Sequence, residues 1–347
     1  MSVTLTDADS LLGHRGVSRE TGAWVVSAAF GRDGRGCFFG LGDGTVRIAD
    51  PAAKDAEWLT AQAHDGACLS LAADCTSGAL SGGDDGRAVL VAADGTVSEL
   101  AAFGAMKWVE HVAAHPAGVR AAACGKQVVL FDGKGARLKT LAHPSTVGGV
   151  AFDAKGKRVA ASHYNGASLW YVAAKEDRPR VLEWKGSHHG IAFDPAGEHV
   201  VTAMQEPSLH GWRLSDGQHM RMSGYPSKTR SLSFTAKGRW LATAGAESVV
   251  LWPFFGGGPM GKEPHEIAGG DGVLCSAVAC HPQQEVVAAG FADGLVLVSD
   301  IASGRVVPIA PPGHGPVSAL AWNPSGSHLA FGTETGFAAI IDLSKRA

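Results

Sequence analysis

The sequence predicts an all-β chain in which one unit of strands and turns is repeated around a closed ring. Three observations support this prediction: a short sequence motif recurs along the 347 residues, its copies are about 41 residues apart, and each copy has the pattern of strands and tight turns. The clearest copies begin at Ile191, Leu232 and Leu320, and they read IAFDPAGEHVVTAM, LSFTAKGRWLATAG and LAWNPSGSHLAFGT. A strand-based repeat of this length predicts a β-propeller built from four-stranded blades.

The number of blades follows from the residue that opens the first turn of each copy. Neighbouring positions are 38 to 46 residues apart, and there are eight of them: Asp33, Asp74, His115, Asp153, Asp194, Thr235, His281 and Asn323. We therefore expect a single propeller over residues 1–347 with eight four-stranded antiparallel blades. Seven blades are the alternative, because the third unit, around Lys107 to Asp132, is short and lacks the turn Asp. The predicted units lie near 1–23 (closing strand), 24–62, 64–100, 107–141, 146–184, 188–223, 229–268, 273–309 and 316–343.

Each unit supplies the strands of a blade in order. In the first unit WVVSAAF, from Trp24, is the inner strand, and residues 37–41, 45–49 and 57–61 are the second, third and outer strands. The turns RDGRG and GDG contain glycines that allow the positive φ of tight hairpins. Later third strands end at Asp132, Tyr171, Trp252 and Asp300.

The last unit contains only three strands and ends in FAAIIDL at Leu343. Residues Val3 to Leu12 precede the first inner strand and have no other blade to join. We expect the N-terminal segment to supply the fourth strand of the last blade, because closure of the ring leaves no open sheet edge.

Degenerate motifs accompany the repeat, and through them the chain resembles the WD-repeat propeller family over nearly its whole length. That family has Gly-His before the inner strand, Asp in the second turn and Trp-Asp at the end of the third strand. This chain has Gly13-His14 and Gly313-His314, with partial matches at His64 and His143. The turn residues are Asp43, Asp85, Asn165 and Asp293, and the aromatic half of Trp-Asp stands at Trp170, Trp212 and Trp252.

The resemblance implies structural roles for most of these polar residues. In the family, the loop His, a Ser or Thr of the second strand, the turn Asp and the Trp form a hydrogen-bonded chain within one blade. By that resemblance Asp43, Asp85 and Asp293 tie turns to the backbone, and they are not counted as site residues.

Composition restricts the classes of partner. The net charge is -3, with 30 Lys and Arg against 33 Asp and Glu, so no broad positive field attracts nucleic acid. The N-terminus lacks the pattern of a signal peptide, and no stretch approaches the roughly 18 apolar residues of a membrane span. We expect a cytoplasmic protein that neither binds nucleic acid nor inserts into membranes. The six cysteines lack CxxC spacing and are expected to be free, mostly buried thiols.

No motif of enzymatic chemistry is present. The segment GGGPMGK, from Gly256 to Lys262, lacks P-loop spacing and has Glu263 where the hydroxyl residue would stand. The chain contains neither a GxSxG nor an HExxH sequence. We therefore expect no enzymatic activity and no cofactor. The loop from Pro253 to His265, with Phe254, Phe255 and Met260, is either a docking arm or disordered.

An alternative hypothesis is that some of the histidines bind a metal ion. His143, His163 and His188 are expected near one rim of the central channel, where three imidazoles could bind zinc. The competing reading is that they are partly exposed polar residues of a face rich in loops. In the zinc reading the protein handles a metal or small molecule, with the channel mouth as its site.

The same rim is expected to present a protein-binding surface. The candidates are Trp24, Trp108, His163, His188, Met204, Arg230 and Phe291, because aromatic, Met and Arg side chains dominate binding hot spots. Trp24 and Trp108 have an alternative role as core residues between blades. The leading hypothesis is a non-enzymatic scaffold that binds one or more partner proteins on its channel face, as the resemblance also implies. Permanent membership of a larger assembly is left open.

Overall fold

The computed structural model describes residue 6 and residues 10–176, 178–269 and 272–344. Within these residues the chain consists of one five-residue helix, α1 (Leu11–Arg15), and thirty strands, beginning with β1 (Gly16–Glu20). All pairs of neighbouring strands are antiparallel, and the sheets are arranged as the blades of a single β-propeller. No helix in the described part of the chain has the length and apolarity needed to cross a membrane.

The first three sheets follow one another along the chain. The first contains β2 (Val25–Phe30), β3 (Cys37–Leu41), β4 (Thr45–Ala49) and β5 (Leu59–Gln62). The second contains β6 (Cys68–Ala73), β7 (Ala79–Gly83), β8 (Arg87–Val91) and β9 (Val97–Ala102). The third contains β10 (Val109–His115), β11 (Val119–Cys124), β12 (Gln127–Asp132) and β13 (Arg137–Ala142).

The remaining sheets include one that is larger than the others. It contains β14 (Gly149–Phe152), β15 (Arg158–Tyr171), β16 (Arg180–Phe193), β17 (His199–Met204), β18 (Ser208–Arg213) and β19 (His219–Ser223). The next contains β20 (Leu232–Phe234), β21 (Trp240–Thr243), β22 (Ser248–Pro253) and β23 (His265–Gly269). It is followed by β24 (Cys275–Cys280), β25 (Val286–Phe291), β26 (Val296–Asp300) and β27 (Val306–Ala310). The last contains β28 (Val317–Trp322), β29 (His328–Thr333), β30 (Phe337–Asp342) and, at its outer edge, β1.

The expected count of eight blades is wrong when each hydrogen-bonded sheet is counted as one blade, because the described strands form seven sheets. The fourth and fifth sequence units share the six-stranded sheet. The outer strand of the fourth unit continues as β16, 14 residues long, into the inner strand of the fifth. Tyr164 pairs with Ser187 where a gap between blades would otherwise occur. The third unit, whose short length suggested seven blades, instead forms an ordinary four-stranded sheet.

Strand β15 explains how the shared sheet accommodates two units. Its backbone has positive φ at Asn165 (66°) and Gly166 (135°), conformations typical of a tight turn. On either side of this turn the two halves lie side by side, since Val172 N–H donates to Lys157 O at 2.9 Å. Each long strand of this sheet therefore supplies two segments of it.

In the structure, the repeated motif forms a turn that is stabilised by hydrogen bonds from the backbone to an Asp side chain. Asp194 Oδ1 accepts hydrogen bonds from the backbone N–H groups of Glu198 (2.7 Å) and His199 (2.8 Å). Asp43, Asp85 and Asp293 each accept from the backbone N–H two residues later, at 3.0 Å in all three turns. The structural role implied for these three residues is confirmed.

The ring is closed by a strand from the N-terminal part of the chain. Strand β1 pairs with β30 from Gly16↔Ile341 to Glu20↔Phe337. The closing strand is therefore Gly16–Glu20, whereas Leu11 and Leu12 belong to α1, capped by Ser10. Most of the segment expected to close the ring, Val3 to Leu12, lies outside the described residues.

Contacts between neighbouring sheets repeat around the ring. Ser318 Oγ donates to Val25 O at 2.6 Å and joins the last sheet to the first; Ser276 Oγ donates to Val317 O at 2.6 Å. In four sheets a glycine of the second strand packs against the first residue of the next inner strand, so closely that an added Cβ would collide with that residue. The pairs are Gly40–Cys68, Gly82–Val109, Gly290–Val317 and Gly332–Val25. Small residues at these positions let the sheets pack closely around the channel.

The cysteines and the long loop are part of the packed structure. All six cysteines are free, as expected, and four of them are buried. In the loop from Pro253 to His265, Phe254 is buried and packs edge-on against Phe234, with ring centroids 4.9 Å apart. Phe255 is exposed, and the cationic groups of Arg239 and Lys262 each lie over its ring. The loop is therefore ordered and anchored, although Met260 is exposed.

Candidate protein-binding face

The central channel opens into a cavity of about 520 Å³ between the inner strands of several sheets. Trp24, which precedes β2, and Arg230, which precedes β20, both line this cavity. Lys228 and Glu334 also line it. Trp24 and Arg230 both stand close to the beginning of an inner strand. The structure thus brings together two of the predicted site residues, Trp24 and Arg230.

Trp24 and Trp108 are surface residues and do not pack as core between blades. Trp24 is 47% exposed and Trp108 is 57% exposed. Trp108 lines a second pocket of about 470 Å³, formed by the loop between β9 and β10, and not the channel cavity. The two tryptophans therefore belong to two different depressions of the surface.

The channel cavity has a basic side. Lys228 Nζ donates to Gln205 Oε1 at 2.7 Å, whereas the Arg230 guanidinium has neither a hydrogen bond nor an ion pair within the described residues. Burial, and then the nearby charge of Arg230, lowers the pKa of Lys228. Burial, and then the charge of Lys228, lowers the pKa of His189. Lys228 and Arg230 together place two cationic side chains in the lining of the channel cavity.

Four of the predicted binding residues are buried, which corrects their placement on an accessible surface. His163, His188, Met204 and Phe291 are all nearly inaccessible to solvent. His163 Nε2 lies 2.9 Å from Ser168 Oγ, and His188 Nδ1 lies 2.7 Å from Thr202 Oγ1. The strands that carry His163, Met204 and Phe291 are covered on both faces by neighbouring strands and sheets, so these side chains support the blades from inside.

The expected zinc ligands do not converge on a common point. The three side chains do not form a group of ligand atoms within 4.8 Å of one another, and both nitrogens of His163 and of His188 already have hydrogen-bond partners. His143 has one nitrogen without a partner, Nδ1, while Nε2 accepts from Trp170 Nε1. The three histidines thus offer no shared coordination site.

A different trio of possible ligands occurs in the described residues: Asp194, Glu198 and His199. Asp194 Oδ1 binds two backbone N–H groups of its turn, and Oδ2 lies 3.1 Å from His199 Nδ1. Asp153 and Arg158 occupy the equivalent positions of another turn and pair at 2.8 Å. The arrangement therefore closes a turn of the repeat and does not by itself indicate a metal.

Hydrogen-bond networks inside the blades match the pattern of the resemblance. His64 Nδ1 lies 3.1 Å from Asp85 Oδ1, and its Nε2 lies 2.9 Å from Ser81 Oγ. Burial lowers the pKa of His64 although Asp85 favours its protonated form. In another blade Trp252 Nε1–H donates to Tyr225 Oη at 2.6 Å, so a tyrosine replaces the loop histidine.

The ring of antiparallel sheets is a β-propeller, and the comparisons confirm the resemblance to WD-repeat proteins found in the sequence. Residues 278–347 match the family described as the anaphase-promoting complex subunit 4 WD40 domain. Telomerase protein component 1 of Mus musculus is 28% identical over 202 residues, which cover 56% of this chain and 7% of that protein. This chain therefore corresponds to a small part of that relative.

Solved structures show the same architecture. The crystal structure of the computationally designed Ika8 protein superimposes with a TM-score of 0.76 at 20% sequence identity. The match covers 94% of this chain and 98% of the designed chain. At this level of identity the likeness shows the fold alone.

Sequence reasoning missed one basic residue of the channel cavity, Lys228. Lys228 lies two residues before Arg230 and shares the channel cavity with it, but neither residue belongs to a motif. The available signal was positional, because Lys228 lies in the same connection before β20 as Arg230.

Proposed function

We propose that this protein is a non-enzymatic, cytoplasmic scaffold that binds a segment of a partner protein at the mouth of its central channel. The observation that carries the proposal is the joint presence of an exposed Trp24 and an unpaired Arg230 in one cavity of about 520 Å³. Trp and Arg are the residue types that contribute most to protein-binding hot spots.

The chemistry of the cavity favours a partner segment that carries a carboxylate. Arg230 can bind a carboxylate with two parallel hydrogen bonds, and Lys228 adds a second positive charge beside it. Trp24 supplies apolar area for a neighbouring side chain. Because the ring holds these groups in place, binding costs little additional ordering.

The relatives support a role in assembly. One is named as a subunit of the anaphase-promoting complex and the other as a protein component of telomerase. By their names, both are parts of larger assemblies. This favours protein binding over catalysis for the present chain as well.

The test compares the double variant Trp24→Ala, Arg230→Ala with the native chain in affinity purification from its own cells, followed by mass spectrometry. We expect at least tenfold less recovery of specific partners, because each truncation removes a hot-spot residue. The melting temperature should be nearly unchanged, since exposed substitutions alter stability by about 0.5 kcal/mol or less.

A matched control is Tyr171→Ala, Arg178→Ala, which removes an aromatic and an Arg side chain that are both exposed and do not line the cavity. This control should recover the same partners as the native chain. Equal recovery with the channel variant would show that the channel mouth is not the binding face.

A further inference from the structure

The pocket that contains Trp108 is separate from the channel cavity and has its own chemistry. It is lined by Phe103, Met106, Lys107 and Trp108 of the connection between β9 and β10, and by Lys126 of the turn between β11 and β12. Its volume is about 470 Å³, enough for one or two large side chains. Its lining combines apolar and aromatic side chains with two exposed lysines.

The loop exposes apolar side chains that the fold itself does not use. Met106 is 95% exposed and adopts φ of 60°, a left-handed conformation that is rare for residues other than glycine, asparagine and aspartate. Holding a residue in this conformation costs on the order of 1–3 kcal/mol. Trp108, two residues later, is also more than half exposed. Neither side chain gains burial that would offset this cost in the free protein.

The backbone of the loop is nevertheless held in one position. Phe103 N–H donates to Gly86 O at 2.8 Å. A Cβ at Gly86 would lie 2.9 Å from Lys107 O and closer still to Gly104 O, so the loop passes directly over this glycine. The exposed Met and Trp therefore belong to a fixed surface, and little order must be gained when something binds there.

Two lysines in the lining of the pocket indicate the charge of the ligand that it would bind. The ammonium groups of Lys107 and Lys126 have no hydrogen-bond acceptor and no ion-pair partner in the described part of the chain, and both residues are exposed. Glu110 is the one carboxylate in the lining, and burial raises its pKa. Two free cations beside an apolar pocket complement an apolar side chain that has Asp or Glu residues next to it in sequence.

We propose that this pocket binds an extended segment of a partner protein, in which an apolar anchor residue flanked by acidic residues inserts against Met106 and Trp108. The site is independent of the channel mouth. Single-stranded nucleic acid is also anionic and stacks on aromatic rings, but two lysines on a chain of net charge -3 give few phosphate contacts. Phe103 and Met106 favour an aliphatic or aromatic side chain as the anchor.

The test is selection of a phage-displayed library of random twelve-residue peptides on the purified full-length protein. We expect enriched peptides to contain one large apolar residue flanked by Asp or Glu. Synthetic copies should bind Trp108→Ala about thirtyfold more weakly, as expected for loss of a central hot-spot tryptophan. The double charge reversal Lys107→Glu, Lys126→Glu should also weaken binding by at least tenfold.

Controls separate this pocket from the rest of the surface. Tyr171→Ala and Lys134→Glu change an exposed aromatic residue and an exposed lysine outside the pocket, and they should bind the peptides like the native protein. The channel variant Trp24→Ala, Arg230→Ala should also retain binding. The proposal is overturned if no peptide is enriched, if enriched peptides lack acidic residues, or if they bind Trp108→Ala unchanged. Displacement by an equal concentration of a thymidine oligonucleotide would overturn it in favour of a nucleic-acid site.

Discussion

The glycine at position 40 tests how closely neighbouring sheets approach each other. A Cβ at Gly40 would lie 2.6 Å from Cys68 Sγ of the next sheet and 3.3 Å from Leu71 Cδ1. Carbon and sulfur atoms cannot approach to 2.6 Å, so Gly40→Ala must displace the buried Cys68 side chain or separate the two sheets. The backbone of Gly40 does not have positive φ, so alanine can adopt it without strain.

The expected magnitude follows from two opposing effects. Overpacking a well-packed core costs about 1–3 kcal/mol. Replacing glycine by alanine also restricts the unfolded chain, which stabilises the folded state by about 0.4–1 kcal/mol. We expect Gly40→Ala to lower the free energy of unfolding by about 1–2 kcal/mol, measured by urea denaturation.

A double-mutant cycle identifies the clash as the cause. Cys68→Ala removes the sulfur atom that the new methyl group would strike, so the double variant should be more stable than the sum of the two single effects by about 0.5–3 kcal/mol. Gly42→Ala is the matched control, because a Cβ there would lie 3.6 Å from the nearest atom, Trp24 Cβ. Additive effects in the cycle, or a loss of stability for Gly42→Ala as large as for Gly40→Ala, would refute the close-approach explanation.

Three further predictions concern buried groups. Arg120 donates to both carboxylate oxygens of Asp74 (2.6 and 2.8 Å), and although burial alone would raise the pKa of Asp74, these bonds hold it well below its usual range. The free energy of unfolding of the native chain should therefore decrease as the pH falls below about 5. Asp74→Asn should be about 3–5 kcal/mol less stable at pH 7, and its free energy of unfolding should decrease less in acid. Urea denaturation at several pH values measures both effects. Tyr225→Phe leaves a buried indole N–H without its acceptor and should cost about 1–3 kcal/mol in the same denaturation assay; an unchanged midpoint would exclude a stabilising role for the network. Phe254→Ala should lower the free energy of unfolding by about 3–5 kcal/mol, and Phe255→Ala by less than about 1 kcal/mol, as measured by thermal unfolding. Similar losses for both variants would contradict the conclusion that Phe254 anchors the loop.

The repeat made most of the fold predictable. Turn residues such as Asp43 and Asp194 stand at regular spacing, and the structure uses them for the same backbone hydrogen bonds that the repeat implies. The shared sheet was not predictable, because the periodicity continues undisturbed through Arg180–Phe193 although no loop separates the outer strand of one unit from the inner strand of the next. Spacing along the chain does not report whether two units are joined by hydrogen bonds.

The candidate site was predictable only in part, and burial explains the difference. Trp24, Trp108 and Arg230 stand just before inner strands and are exposed. His163, Met204 and Phe291 stand in second strands, which neighbouring sheets cover from both sides, so their variation between units reflects packing inside each blade. A repeat position that varies therefore indicates a binding surface only where the ring leaves that position open to solvent.

The pairing of β1 with β30 also determines the order in which this protein can be completed during synthesis. Gly16 and its partner Ile341 lie far apart in the sequence, so the last sheet cannot be completed until β30 has been synthesised and can pair with β1. The earlier sheets form from neighbouring segments and need not wait. Joining such distant ends costs only a few kcal/mol more than closing a short loop, because this cost grows with the logarithm of loop length. Until β1 and β30 pair, the nascent chain exposes an unpaired strand edge, which makes it prone to aggregation.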